Sequence, residues 1–143
     1  MTVFGLQNIH AKLYVTYAAF TPLNGGVVDV FDTDGHMLQR LASNDPSGPL
    51  EQPWAVTSAR YDFGRFSHAL LVGNFGDGRI SAFNPKNGKL LGQLADCHGK
   101  AISDGLGLWA LASALITLGM NPAACFLPQG LTVKPMACLE ILS

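Results

Sequence analysis

The sequence predicts an all-β protein, and three observations carry that prediction. Short apolar runs of strand length alternate with turn residues, most clearly between Ala69 and Leu94. Sixteen glycines and eight prolines among 143 residues supply the backbone conformations that tight turns require. A similar order of apolar and turn residues also recurs after about fifty residues, and this recurrence predicts a repeated sheet unit.

Three strands are predicted in the first part of the chain, because each run is rich in β-branched, aromatic or other apolar residues and is flanked by turn chemistry. They are Lys12–Ala18, Val27–Phe31 and His36–Leu41. The segments between and after them are predicted as the loop Phe20–Gly26, the turn Asp32–Gly35 and the connection Ala42–Gln52.

Four further strands are predicted in the second part. They are Pro53–Val56, Leu70–Val72, Arg79–Phe83 and Lys89–Leu94, with a loop at Ser58–Ser67. Turns are predicted at Gly76–Gly78 and Asn84–Gly88, where glycine, aspartate and asparagine accept a positive φ. Ile80 and Ala82 alternate with Ser81 and Phe83, so this strand should present two different faces.

The two parts align with each other. KLYVTYA matches ALLVGNF, VVDVFDTDG matches ISAFNPKNG, and HMLQRL matches KLLGQL. Several short strands per repeat of about fifty residues are typical of propeller blades, each a four-stranded antiparallel sheet. The predicted organisation is blade one with its connection at 4–52, blade two at 53–105, the first strand of a third blade at 106–111 and an atypical tail at 112–143. The alternative is an ordinary antiparallel meander.

The run LLVGNFGDGRISAFNPKNGKLLGQL resembles the NHL repeat. Together with GGVVDVFDTDGHMLQRLAS and DGLGLWAL, it resembles an uncharacterised bacterial family of six-bladed, NHL-like β-propellers over about Phe4 to Leu111. The resemblance implies a longer, exported parent protein in the periplasm or outside the cell. It also implies that further blades and a signal peptide precede this chain in the parent.

Composition excludes some classes of function. Nine basic and ten acidic residues nearly cancel, which argues against a nucleic-acid partner. The first residues lack the basic and apolar regions of a signal peptide, so the chain as written is expected in the cytoplasm. No apolar run reaches the length of a membrane span. The cysteines Cys97, Cys125 and Cys138 are an odd set without metal-ligand spacing.

The tail differs in composition from the rest of the chain. Of the nine basic and ten acidic residues, Lys134 and Glu140 alone follow Leu111. Read from the third base of each codon, residues after Leu111 can encode the continuation that the resembled family would have. We therefore predict that 112–143 is an out-of-frame translation. The alternative is a genuine segment with a short helix within Leu106–Met120.

Asn74 and Asp77 are the candidate binding residues, since both follow a predicted strand near a hairpin. Asp29, Asp32 and Asp34 are further polar groups close to hairpins. Asp77 and Asn74 have a structural explanation as turn residues, and Asp32–Gly35 is interpreted as a turn because it lacks the spacing of a calcium loop. The four histidines, among them His68 and His98, are dispersed, so no metal ligands are assigned. Trp54 and Trp109 are interpreted as packing residues.

Three functions remain open from the sequence. The leading hypothesis is a non-enzymatic binding or scaffold module, without a cofactor, that meets an unknown ligand or protein at the propeller face. The second is a metal-assisted hydrolase of the lactonase or esterase type, in which Asn74 supplies one ligand of a divalent ion and missing blades complete the site. The third is that the chain is a non-functional product of a truncated gene.

Overall fold

Two four-stranded antiparallel sheets make up the described part of the chain. The computed structural model describes residues 1–20, 25–43, 48–61, 63–95 and 100–101, and the backbone of 44, 112–113 and 125–126. The first sheet contains β1 (Thr2–Ile9), β2 (Lys12–Ala18), β3 (Gly26–Phe31) and β4 (Met37–Asn44). The strands follow one another in space in chain order.

The second sheet repeats this arrangement. It contains β5 (Pro53–Ser58), β6 (Leu70–Asn74), β7 (Ile80–Phe83) and β8 (Leu90–Gln93), again in chain order. A short 3-10 helix, Gly64–Phe66, lies in the loop between β5 and β6. Among the described residues no helix is long and apolar enough to cross a membrane. The all-β prediction and its two four-stranded units are therefore confirmed.

The internal repeat holds at the level of strand register. Leu13 of β2 pairs with Phe31 of β3, and the equivalent Leu70 of β6 pairs with Phe83 of β7. β1 and β5 also carry a bulge at the same place, between Val3 and Gly5 in β1 and between Pro53 and Ala55 in β5. A second shared bulge interrupts the pairing of the third strand with the fourth, between Val30 and Phe31 in the first sheet and between Ala82 and Phe83 in the second. The two sheets thus share irregularities as well as strand order.

Several predicted boundaries need correction. No separate strand was assigned before Lys12, yet β1 occupies Thr2–Ile9 and pairs with β2 along its length. The strand predicted at His36–Leu41 extends through the start of the predicted connection, because β4 stays paired with β3 as far as Asn44. The loop Ser58–Ser67 begins with the last residue of β5 and includes the 3-10 helix.

The tail contains a small strand pair, β9 (Ala112–Ser113) with β10 (Cys125–Phe126). A helix over Leu106–Met120 is therefore wrong at Ala112–Ser113. The third-blade strand at 106–111 and the rest of the tail lie outside the described residues. The reading-frame hypothesis stays a prediction.

The main core lies between the two sheets. One face of each sheet contributes side chains that are at most 6% exposed, and the connection between the sheets adds Leu50 at 1%. They are Tyr14, Val28, Val30 and Leu41 from the first sheet, and Val56, Leu70, Val72 and Phe83 from the second. Burial of these apolar surfaces against each other is the main stabilisation of the pair of sheets.

Residues of the β5–β6 loop cover the opposite face of the second sheet. Phe63 and Phe66 of the β5–β6 loop pack on Leu71, Ile80 and Ala82. Phe83 belongs to the core between the sheets, so the predicted alternation of Ile80 and Ala82 against Ser81 and Phe83 is confirmed. A period of two therefore places a different core on each face of β7.

The sheets approach each other too closely for side chains at some positions. A Cβ atom at Gly5 would collide with the carbonyl oxygen of Trp54, and one at Gly88 with the carbonyl oxygen of Leu41. The Thr16 hydroxyl donates to the same Trp54 carbonyl at 3.1 Å. Glycine is required at these contacts because backbone of one sheet lies directly against backbone of the other.

Alanine substitution at two turn glycines distinguishes the loss of stability caused by this close contact from the loss caused by a positive φ. Gly88 and Gly35 both have a positive φ, +69° and +89°, but a Cβ at Gly35 would meet nothing within 4 Å. We expect Gly35→Ala to lower the free energy of unfolding by about 1 kcal/mol, the cost of a left-handed alanine. Gly88→Ala should lower it by about 3 kcal/mol, because overpacking adds to that cost.

Urea denaturation of both variants measures the two values. Equal losses would contradict the close approach of Gly88 to the Leu41 carbonyl, because the added methyl group would then cause no overpacking.

Candidate functional site

Asn74 is a buried structural residue at the end of β6. Its side chain is 0% exposed, and its Nδ2 donates to the carbonyl oxygen of Pro49 at 3.0 Å. The Ser81 hydroxyl donates to the same oxygen at 3.1 Å, and Gln93 Nε2 donates to that hydroxyl at 3.2 Å. This network ties the connection between the sheets to β6, β7 and β8. Among the described residues no hydrogen-bond partner reaches Asn74 Oδ1.

Asp77 stabilises the β6–β7 turn that contains it. Its Oδ1 accepts a hydrogen bond from the backbone N–H of Arg79 at 2.9 Å, and its Oδ2 lies 3.7 Å from Arg79 Nε. The side chain is 25% exposed. This is the turn role that the sequence offered as the alternative to binding, whereas Asn74 contacts the connection instead.

The other candidate carboxylates also have local partners. Asp29 is 3% exposed and binds Arg40 through two hydrogen bonds of 2.9 and 3.1 Å, which raise the pKa of the guanidinium. On the β3–β4 turn, Asp32 Oδ1 accepts from the backbone N–H groups of His36 and Asp34. These bonds, the one from His36 foremost, lower the pKa of Asp32.

Asp32, Asp34 and His36 place possible ligand atoms within 4.8 Å of one another. The group is largely exposed, and Asp32 is already used in holding the turn. It therefore resembles an ordinary aspartate-rich turn. Cys97, His98 and Trp109 lie outside the described residues.

A cleft between the sheets brings together residues that sequence reasoning had treated separately. It has a volume of about 220 Å³ and lies where the β1–β2 turn meets the start of β6. Its polar lining is His10, Tyr14, Ser58 and His68, and its apolar lining is Ile9, Ala69, Leu70 and Pro85. No candidate was predicted here, because the two histidines belong to different sheets and are far apart in the sequence.

His10 reaches the cleft from a strained turn. Ile9 pairs with Lys12, so His10 and Ala11 form a two-residue hairpin loop with φ values of 51° and 59°. These angles correspond to a type I′ turn, in which asparagine and glycine are the preferred residues. The sequence has neither at these positions, which explains why the hairpin and β1 were missed.

His68 reaches the other side of the cleft from a second strained turn. The backbone N–H of Ala69 donates to the Phe66 carbonyl at 2.9 Å, Ser67 has φ −51° and ψ 133°, and His68 has φ 62°. This is the pattern of a type II turn, whose third residue is usually glycine or asparagine. Both histidines of the cleft therefore occupy positions where glycine would be less strained.

Tyr14 forms the floor between the cleft and the main core. Its side chain is 6% exposed and belongs to the core cluster while also lining the cleft. Burial raises the pKa of the Tyr14 phenol, because the phenolate loses hydration there. The hydroxyl therefore stays protonated and is able to donate a hydrogen bond.

An aromatic cluster occupies the other end of the sheets. The ring centroid of Phe4 lies 4.2 Å from that of Trp54, 5.2 Å from that of Phe20 and 5.8 Å from that of Phe75. Phe4 and Trp54 are the bulged residues of β1 and β5. The packing role predicted for Trp54 thus has a structural basis, since a bulge redirects the side chain that it carries.

Comparison with known proteins finds relatives in a virus. Three uncharacterised proteins of Acanthamoeba polyphaga mimivirus are similar to this chain. The first is 38% identical over 111 residues, which cover 71% of this chain and 27% of that protein. The second is 32% identical over 115 residues, or 74% of this chain and 27% of the protein. The third is 30% identical over 134 residues, or 85% and 22%.

These findings correct the resemblance drawn from the sequence. No family profile matches the chain, and no solved structure matches it. The chain spans about a quarter of the length of the curated relatives it matches. The assignment to a bacterial NHL-like family is wrong, because the similarity found is to viral proteins. The expectation of an exported parent protein depended on that family and loses this support.

The free-energy cost of the positive φ angles in the β1–β2 turn can be measured by substitution. We expect Ala11→Gly to raise the free energy of unfolding by about 0.5–1 kcal/mol, because glycine adopts a positive φ without the steric cost of a methyl group. Ala55→Gly, in the regular strand β5, is the control and should lower it. Thermal or urea denaturation compares the two. A destabilised Ala11→Gly variant would contradict the assignment of a type I′ turn.

The Tyr14 phenol should ionise above the usual pH range of tyrosine, because burial raises its pKa. Tyr14→Phe should therefore remove the late step from an ultraviolet absorbance titration of the three tyrosines. Since the folded-state pKa is raised, the stability that Tyr14 contributes is complete below about pH 10 and falls as the pH rises through the folded value.

Tyr61→Phe is the control for that titration, because Tyr61 is 70% exposed. It should leave the late step in place. A late step that persists in Tyr14→Phe would contradict the assignment of that step to the Tyr14 phenol.

Proposed function

We propose that this chain is part of a propeller-like binding module and that a small molecule binds in the cleft between its sheets. The blade interpretation is supported by two consecutive four-stranded sheets with the same strand order, equivalent pairing of their second and third strands, and two bulges at matching places. The first sheet has one further bulge, between Val28 and Asp29. Blades of this kind pack face to face and leave clefts between neighbouring sheets. A sheet architecture alone does not assign an activity, so the argument for binding comes from the cleft.

The observation that carries the proposal is the position of His10 and His68. Each lies at a positive φ, where a non-glycine side chain costs stability, and both line one cleft. Strained backbone of this kind is concentrated at functional sites, where the side chain is worth the cost. Histidine is one of the non-glycine residues enriched at positive φ, and Ala11 and Gln52 share this conformation, so the two histidines are distinguished by lining the same cleft.

Metal-assisted hydrolysis has weaker support. Asn74 Oδ1 is a buried oxygen without a described partner, as a ligand awaiting an ion would be. However, Asp77 is held by Arg79 in its own turn. A divalent metal needs several converging oxygen or nitrogen ligands. Within the described residues, the cluster found with three such groups is the exposed turn of Asp32. Binding without catalysis is therefore the better supported function.

A fragment screen on the full chain tests the proposal. We expect neutral and charged fragments of fewer than about ten heavy atoms, a size set by the small cleft, to shift the NMR signals of Ile9, Ala69 and Leu70. Ser58→Phe should abolish these shifts, because the ring fills the cleft. Thr33→Phe adds the same ring to the exposed β3–β4 turn and is the matched control.

Shifts that persist in Ser58→Phe would contradict binding in the cleft. Hydrolysis of lactone or ester fragments by the wild-type chain, lost in Asn74→Ala, would instead favour the enzymatic alternative.

A further inference from the structure

We propose that the cleft selects a small organic oxyanion, with a carboxylate or phosphate head between His10 and His68 and a short apolar body. This inference rests on the proposed binding function and specifies its ligand class. It follows from three features of the lining: the hydrogen-bonding character of the polar groups, the charge around them and the size of the space.

The polar groups of the lining favour an acceptor ligand. A protonated imidazole donates from both nitrogens, and serine and tyrosine hydroxyls donate as well. The Ser58 hydroxyl already donates to the Ala59 carbonyl at 3.4 Å, so His10, His68 and Tyr14 are the lining groups that offer donors, and they come from both sheets. Among the described lining residues none carries a carboxylate. Since Tyr14 stays protonated through burial, its hydroxyl adds no negative charge to repel an anion.

The charges next to the lining have the same sign. Lys12 follows the His10 turn, Arg60 follows Ser58 by two positions, and Lys86 follows Pro85. No aspartate or glutamate lies within two positions of any described lining residue. The Arg60 guanidinium lies 5.6 Å from the centroid of the Tyr61 ring and also contributes its backbone carbonyl to the His68 N–H. Three basic residues therefore lie within two positions of lining residues along the chain.

Acidic groups at the same end of the sheets are held elsewhere. Asp32 and Asp34 lie on the β3–β4 turn, where Asp32 accepts hydrogen bonds from His36 and from the backbone of Asp34. Lys12, Arg60, Arg65, Lys86 and Lys89 are the basic residues of the turns and strands that form the cleft, and Asp62 is an acidic residue of the β5–β6 loop.

The size of the cleft limits the ligand. A volume of about 220 Å³ is smaller than the usual pocket for a drug-sized molecule. Ile9, Ala69, Leu70 and Pro85 are the apolar residues of the lining. A nucleotide or a folded peptide would exceed this space, whereas a branched carboxylate or a small phosphate ester fits it. The donors fix the head and the apolar residues accept the body.

Calorimetric titration of the full chain with three probes tests the inference. Isobutyrate and its neutral isostere isobutyramide share one body and differ in the head, and inorganic phosphate supplies a head without a body. We expect isobutyrate to bind about tenfold more tightly than isobutyramide, since charged hydrogen bonds are stronger than neutral ones.

Asparagine variants keep the strained turns intact, because asparagine accepts a positive φ. His10→Asn and His68→Asn should each weaken isobutyrate binding by about tenfold. His36→Asn changes an exposed imidazole on the β3–β4 turn and is the matched control, with no expected change. Phosphate binding without isobutyrate binding would assign the head as phosphate, and the reverse would assign it as carboxylate.

Equal affinity for isobutyrate and isobutyramide would overturn the oxyanion assignment. If all three probes fail while other fragments occupy the cleft, the inference falls and the binding function stands. If fragments fail as well, both fall.

Discussion

The close contact between the two sheets is the constraint on which the rest of the structure depends. Gly5 lies against the Trp54 carbonyl and Gly88 against the Leu41 carbonyl, so backbone meets backbone near the first and the last strands of the pair. Between these contacts the facing side chains form one continuous core. The glycines thereby fix the distance between the sheets, and this distance sets the width of the cleft at one end and the packing of the aromatic cluster at the other.

Much of this arrangement was accessible from the sequence. Alternation along Ile80–Phe83 predicted two faces, and the structure places a different core on each. Turn residues such as those of Gly76–Gly78 located the hairpins, because glycine, asparagine and aspartate have few other reasons to cluster. β1 was missed since the turn after it contains His10 and Ala11, whose presence at positive φ a composition rule does not anticipate. The family assignment failed for a related reason: turn and strand patterns follow from backbone chemistry and recur in unrelated lineages.

The candidate site shows where such reasoning stops. Asn74 was selected for its position at a strand end, but the side chain turns inward to the connection between the sheets and is wholly buried. The cleft depends on packing between sheets, which no local pattern encodes. The sequence shows the dipeptide Ser67-His68 but not the positive φ of His68, and that backbone angle is what marks the position.

The shared bulges of β1 and β5 repeat one backbone irregularity in two sheets. A bulge needs an extra residue in one strand and none in its partner, so it constrains the backbone more than the side chains. Phe4 corresponds to Trp54, and Thr16 to Gly73, while the bulge is the same. The two sheets can therefore differ in residue identity and still direct a large aromatic side chain into the same cluster.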